Sequence, residues 1–392
     1  MAARRSRALA KPVKDSGGVQ IDCRSDDRRS APTPRRDEMS TQKRIAVVGT
    51  GALGGYVGGY LAKNGQDVTL IDMWPENIEA IRSRGLELDG VTPEEKFTVK
   101  NAKTMHLTEV QSLSKQKPID IAFVSVKSYD TEWATMLIKP YLAPDGYVVS
   151  LQNCVNEEKI ASIVGWGKTL GIIASVISVD MHDAARIRRT AAKGGEKHTV
   201  FRIGEVHGVV TKRVTELVDM FKVIDSAKGT TNLWGERWSK LSQNGMRNGV
   251  SALTGLTSPQ CDLNPAVRRF AIKLGGEAVR VAEALGFQLE KIGGVKPELL
   301  ALAAEGNGDA MAEVEEHMTA RAKENPRGDM QRPSMAQDIR KGRRTEIDFM
   351  NGFIVDKGKM LGIPTPSHEK LVELVRKLQR GEITASASHL EG

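Results

Sequence analysis

Hydrophobic positions along this chain fall into two regimes. Up to about Thr230 short apolar runs alternate with segments of helical period; beyond it apolar residues recur at helical spacing to about Arg380. The first run, 44–48, breaks directly into Gly49-Thr50-Gly51-Ala52-Leu53-Gly54. A helix is predicted after it, stopped at Asn64-Gly65, and a second strand over 67–71 ends in Asp72. Further strands are predicted over 119–126 and 147–151, with a helix between them from Lys127-Ser128-Tyr129-Asp130 to about Leu142. This alternation predicts a parallel sheet with helical crossovers. β segments are also predicted over 171–179, 198–204 and near 221–224, either extending the sheet or closing one edge by an antiparallel excursion.

The second regime predicts helices. Asn264-Pro265 supplies an N-cap and a proline at the first helical position, and that helix runs to Gly286. Residues 306–330 are charged and interrupted by Gly and Pro, as in an exposed helix and loop. Ser334-x-x-Gln337 has the form of a capping box. Helical spacing over 346–361 stops at Gly362-Ile363-Pro364, and a last helix runs from Ser367 to about Arg380. The expected organisation is a disordered tail (1–40), an α/β dinucleotide-binding domain (41–229), a helical domain (230–380) and a polar tail (381–392).

In a G-x-G-x-x-G turn each glycine has its own task. Gly49 permits the tight turn, Gly51 admits a pyrophosphate, and Gly54 lets helix pack on strand. The helix start aims free N–H groups and its positive dipole end at phosphates. Such a turn alone is often only a loop; strand, turn, capped helix, strand and terminal acid in order specify a dinucleotide site. Gly49, Thr50, Gly51, Ala52, Leu53 and Gly54 are the candidate pyrophosphate contacts, and Asp72 the candidate ribose ligand.

Composition removes other classes. The formal net charge is +8, but residues 1–38 carry ten Lys/Arg and six Asp/Glu, so half of it belongs to the tail. With aromatics at 5% and no basic stripe, a nucleic-acid partner is not expected. No apolar run approaches the ~20 residues needed to span a bilayer, and no h-region of a secretory signal is present. The three cysteines lack C-x-x-C spacing, which predicts a reducing, cytoplasmic setting with neither disulfide framework nor metal site. Met39, just before the first strand, would be a natural start.

The candidate chemistry opens the helical regime. In Trp238-Ser239-Lys240-Leu241-Ser242-Gln243-Asn244-Gly245-Met246-Arg247-Asn248, Lys240, Asn244 and Asn248 stand four apart and share one helix face. A cation with two amides can bind a carboxylate or hydroxyls and polarise a carbonyl; the plain alternative is a solvated polar face.

That segment, with Ala252-Leu253-Thr254-Gly255, resembles the W-x-K-L-x-x-N-x-x-x-N run of the ketopantoate reductase (2-dehydropantoate 2-reductase) family. A second block matches too: Pro333-Ser334-Met335-Ala336-Gln337-Asp338-Ile339, Gly342-Arg343-Arg344-Thr345-Glu346-Ile347-Asp348, Asn351-Gly352 and Gly362-Ile363-Pro364-Thr365-Pro366. The resemblance implies a Rossmann domain plus an all-helical domain similar to that of 6-phosphogluconate dehydrogenase, with the active site in the cleft between them. It implies hydride transfer from a nicotinamide cofactor to C2 of a small-molecule 2-oxo acid, 2-dehydropantoate going to pantoate, by a monomer or homodimer. Lys240 resembles the catalytic lysine, and Asn244, Asn248 and Ser334 resemble substrate ligands. Glu346 matches the glutamate near the reacting centre, Asn153 the asparagine of L-x-N-G near cofactor and substrate, and Lys127 the lysine of a V-K-[AS]-[YW] turn.

Three positions depart from the pattern. Asp72 and Met73 stand where NADPH-dependent members carry a basic residue, which favours NAD(H), with NADP(H) as the alternative. Cys154 replaces the glycine of L-x-N-G, a packing variant. Arg247, seven after Lys240, is expected on the same face and suggests an extra anionic group on the substrate. Two other functions stay open: an NAD-dependent dehydrogenase of another branched or aromatic D-2-hydroxy acid, similar to D-mandelate dehydrogenase, and a nucleotide-sensing Rossmann protein without catalysis.

Overall fold

The buried runs form an eight-stranded sheet, its central strands covered on both faces. The computed structural model describes residues 42–324 and 332–390; the predicted N-terminal tail, Cys23 and part of the loop before Ser334 lie outside them. In chain order the strands are β1 (Arg44–Val48), β2 (Asp67–Asp72), β3 (Leu86–Asp89), β4 (Phe97–Val99), β5 (Lys103–His106) and β6 (Ile119–Val124). They continue with β7 (Leu142–Ser150), β8 (Thr169–Ala174), β9 (Val179–Asp183), β10 (Arg186–Arg189), β11 (Phe201–Glu205) and β12 (Ala227–Gly229). The main sheet has the order β12-β11-β8-β7-β6-β1-β2-β5. All neighbours are parallel except β8 and β11. Every residue of β1 and of β8 is buried, which is why these strands read as unbroken apolar runs. The crossovers are α1 (Ala52–Lys63), α2 (Pro75–Arg84), α3 (Thr131–Ile138) and α4 (Glu157–Val164). From β1 the chain builds first toward β2 and then, on the other side, toward β6. The crevice at the carboxyl ends of these three strands is therefore the switch point where such sheets take ligands.

Three expectations for this half change. The run over 171–179 is not one strand: left-handed backbone at Val176 (φ 56°) and Ser178 (φ 47°) turns the chain out after β8. Its remainder, β9, joins a separate sheet of order β4-β3-β10-β9, whose short charged strands carry too little apolar alternation to be predicted. The segment near 221–224 is the end of a helix, α5 (Lys212–Lys222). Val214, Leu217 and Phe221 form its buried stripe, and the Thr211 hydroxyl accepts from the Val214 N–H at 3.4 Å. No strand forms at 221–224; β12 follows at Ala227–Gly229, and β11 is the strand that runs antiparallel, against β8.

Helices α6 (Leu233–Gly245), α7 (Asn248–Thr254), α8 (Ser258–Leu263) and α9 (Pro265–Ala284) begin the second half. It continues with α10 (Pro297–Ala304), α11 (Gly308–Lys323), α12 (Ser334–Arg340), α13 (Ile347–Leu361) and α14 (Pro366–Gln379). Asn264 caps α9 as predicted, accepting from the Val267 N–H at 3.1 Å. The capping box at Ser334 does not form. Pro333 occupies the cap position, so Ser334 lies one residue inside the helix, and Gln337 bonds the Arg332 carbonyl instead. The predicted polar tail is largely exposed but anchored at two points: Leu390 is buried, and the Ser386 N–H bonds the Leu253 carbonyl. Among the described residues no helix is long and apolar enough to cross a membrane.

Candidate active site

The glycine turn leaves a cradle. A Cβ at Gly54 would stand 2.0 Å from the Gly49 carbonyl oxygen, and Gly49 itself has φ +96°. A Cβ at Gly51 would meet nothing within 4 Å, so the turn is closed on its inner side and open outward. The first intrahelical bond of α1 runs from the Gly55 N–H to the Gly51 carbonyl, and no side chain caps the helix. The N–H groups of Gly51, Ala52, Leu53 and Gly54 are thus the free donors of a helix start. These features fit a dinucleotide pyrophosphate. Thr50 belongs to the scaffold instead: its N–H donates to Asp72 Oδ2 at 2.8 Å and its hydroxyl faces the Ile71 carbonyl at 3.3 Å.

Asp72 is built into the same turn. Oδ2 accepts from Thr50 and Oδ1 from the Trp74 N–H at 3.0 Å, with Asn77 at 3.4 Å. Burial pushes its carboxyl above the usual range, against the pull of those donors. These donors fix the carboxylate at the end of β2, beside the glycine turn.

At the end of β6 stands a charge cluster that joins the two halves. Lys127 Nζ lies 2.6 Å from Asp338 Oδ2 and 3.4 Å from Glu346 Oε2. Glu346 Oε1 accepts from the Ser128 N–H at 3.0 Å and from its hydroxyl at 2.8 Å. Burial opposes the Lys127 charge, but the Glu346 and Asp338 carboxylates outweigh it and hold the ammonium above its ordinary value. Asp338, Ser128 and Asn156, whose Nδ2 donates to the Ser128 hydroxyl at 3.1 Å, were not singled out from sequence. Asp338 and Ser128 nonetheless sit inside the motif runs that flank Ser334 and Lys127.

Lys240 lives differently. Its Nζ donates to the carbonyl of Ala174, the last residue of β8, and among the described residues it has no ion pair. Burial, with the Arg237 charge beside it, pushes the ammonium down to about 7. Arg237 is itself buried, paired with Glu157 and donating to the Gln152 carbonyl at 2.9 Å, so it pins the end of β7 against α6. Nothing in the sequence pattern distinguished that arginine from its neighbours.

The predicted amides divide. A break at Met246-Arg247 ends α6, and Asn248 starts α7 with its Nδ2 bonded to the Asn244 carbonyl at 3.1 Å. Asn248 Oδ1 accepts from the Ser334 hydroxyl at 3.1 Å, which brings these two predicted ligands together. The Asn153 carbonyl holds Asn156 Nδ2 at 2.8 Å; its own side chain makes no hydrogen bond among the described residues. Arg247 departs from expectation. Because the helix breaks at it, the straight-helix face does not apply, and its guanidinium pairs with Asp262 at 2.9 Å. Cys154 is buried with left-handed backbone, φ 64°, and its thiol is pushed well up by burial and the nearby Glu346, so it stays protonated.

A glycine turn at the switch point of a largely parallel sheet, followed by a helical second half, defines a protein with a Rossmann-type dinucleotide-binding fold. Sequence models of the ketopantoate reductase PanE/ApbA family match residues 45–198, and those of its C-terminal part residues 232–379. The chain belongs to that family. A 2-dehydropantoate 2-reductase of Archaeoglobus fulgidus is 29% identical over 343 residues, covering 86% of this chain and 99% of its own. The crystal structure of a PanE/ApbA family ketopantoate reductase from Ralstonia eutropha JMP134 superposes with a TM-score of 0.69 at 28% identity, covering 86% and 99% of the two chains. A ternary D-mandelate dehydrogenase structure with NADH and anilino(oxo)acetate shares the fold, with a TM-score of 0.70 at 21% identity over 86% of this chain and 98% of that one.

Proposed function

We propose that this protein reduces the 2-oxo group of a 2-oxo acid, 2-dehydropantoate before others, with NADH as preferred donor. The observation that carries this reading is Lys240: a buried cation at the carboxyl edge of the sheet, held on the Ala174 carbonyl with no carboxylate partner among the described residues, its ammonium pushed down to about 7 by burial and Arg237. A nicotinamide cofactor bound at the glycine turn would supply the hydride to C2. Negative charge then gathers on the carbonyl oxygen, where an ammonium within hydrogen-bond reach stabilises it and gives up its proton. A lysine with a pKa near 7 releases that proton readily and, in the reverse direction, takes one from a 2-hydroxy acid. Asn153, Asn244 and Asn248 offer neutral donors to the substrate carboxylate and hydroxyl, a set that avoids repulsion, and the Ser334 hydroxyl, bonded to Asn248, has lone pairs to accept from a substrate hydroxyl. Glu346, fixed on Ser128 and Lys127, orients the turn at the end of β6 rather than charging Lys240.

The cofactor preference rests on Asp72, whose carboxylate faces a ribose better than a 2′-phosphate. Arg82 and Arg84, the cations best placed by sequence to offset it, are paired with Glu109 at 2.5 Å and Asp183 at 3.5 Å. Reduction of a panel of 2-oxo acids with NADH and NADPH, followed by absorbance, tests both points. Turnover of 2-dehydropantoate with kcat/KM higher for NADH is expected. A higher kcat/KM with NADPH overturns the reading of Asp72, and cofactor binding without turnover of any 2-oxo or 2-hydroxy acid favours a sensor.

A further inference from the structure

The loop joining α12 to α13 carries Lys341, Arg343 and Arg344, and the three cations have different fates. Lys341 is committed to β9, with Nζ 2.9 Å from Asp180 Oδ1 and 3.2 Å from the Met181 carbonyl. Arg343 lies 5.6 Å from the ring centroid of Trp74, two residues beyond Asp72 at the end of β2. Arg344 lies 4.5 Å from that of Tyr129, just beyond Ser128 at the end of β6. Both arginines are exposed, and among the described residues neither forms an ion pair. Other basic side chains at this edge are neutralised: Lys127 by Asp338 and Glu346, Arg82 by Glu79 and Glu109.

In the sheet β1 lies between β2 and β6. A loop that rests on the residues after β2 and after β6 therefore spans the end of β1, where the glycine turn leaves four N–H groups free. It brings two exposed positive charges to that span, with Asp338 and Asp130 near them but outside ion-pair distance. Lying over an aromatic ring, each guanidinium keeps its N–H fork out of any hydrogen bond among the described residues and open to a bidentate anion. We propose that residues 341–346 form a phosphate strap in which Arg343 and Arg344 hold the dinucleotide pyrophosphate opposite the start of α1. The strap rests on the dinucleotide reading above and adds two ligands to it from the helical half of the chain.

Calorimetric titration of the full-length protein with NADH, NADPH, ADP-ribose and adenosine tests the strap without relying on turnover. Arg343→Ala and Arg344→Ala should each weaken NADH and ADP-ribose by about tenfold, as loss of a charge-assisted contact does. Arg→Lys should recover part of it, adenosine binding should change by less than ~2-fold, and the apo melting temperature should hold. NADH and ADP-ribose affinities unchanged in the double variant would overturn the strap. A loss confined to NADPH would reassign the arginines to a 2′-phosphate, and an equal loss for adenosine would reduce them to supports of the aromatic shelf. If the unmodified protein binds neither NADH nor NADPH, the dinucleotide reading itself fails and the strap with it.

Discussion

Two lysines stand at the carboxyl edge of one sheet and have opposite characters. Lys127, after β6, sits between two carboxylates of the helical half and is held charged. Lys240, reaching the end of β8, has a carbonyl for its partner and an arginine for its neighbour, and its ammonium is pushed down to about 7. Residue type decides neither outcome; what faces the ammonium does. A cation with two acids is a fixed tie between two halves of a molecule. One with none is poised to exchange a proton at neutral pH.

The contrast breaks most visibly at Lys240. Lys240→Ala should lower kcat on the order of a hundredfold or more, since the charge matters most as the oxyanion develops. KM should move much less, because the neutral donors of the proposed substrate site remain. A folded Lys240→Ala protein with near-normal kcat would remove this residue from the chemistry.

Lys127→Met tests the other pole. It leaves Asp338 and Glu346 facing each other, both with buried side chains. The destabilisation should be on the order of 1–3 kcal/mol, the lower part of the range for broken buried pairs because the ammonium is partly exposed. Its pH dependence has a definite sign. Without the lysine, which pulls it down, the Asp338 carboxyl that burial already holds above its ordinary value rises further. The stability this group contributes is then full below its unfolded value of about 4 and is lost as pH rises through its folded one. Urea unfolding at pH 5 and pH 8 should show the deficit growing with pH; a pH-independent deficit would mean lost packing rather than lost charge.

The smallest effect sharpens the region between the two lysines. Cys154 holds a left-handed backbone that costs an L residue about 1–2 kcal/mol and a glycine almost nothing. Cys154→Gly should therefore be more stable than Cys154→Ala by about 1 kcal/mol, reversing the usual order of glycine and alanine. Thermal melts of the pair decide it; an alanine variant equal to or above the glycine variant would show that the backbone relaxes.

The nucleotide end was legible in the sequence because it is made by backbone. Gly49, Gly51 and Gly54 announce a turn through what they lack, and strand, helix stop and Asp72 follow within one βαβ unit. The charge cluster was not legible in the same way. Lys127 and Asp338 are 211 residues apart, and only the docking of α12 on the sheet edge sets which acids face which lysine. Sequence spacing thus left the role of Glu346 open, and placed Arg247 on the face of Lys240 by assuming a helix that breaks at Met246. Ser334 shows an intermediate case: its pairing with Asn248 agrees with a shared role, while its local motif suggested a cap that Pro333 takes over. Resemblance over the two motif blocks supplied the candidate residues; what each one touches had to come from the fold.

The depressed pKa of Lys240 is tested most directly by following kcat/KM against pH in both directions, with 2-dehydropantoate and NADH and with pantoate and NAD. Reduction needs the ammonium, so its kcat/KM should fall as pH rises through about 7, the value set by burial and Arg237. Oxidation needs the free amine and should rise through the same pH. Opposed limbs crossing near pH 7, both lost in Lys240→Ala, are the predicted result. A reduction profile flat from pH 6 to pH 9, or limbs that persist in the variant, would show that Lys240 does not carry the proton.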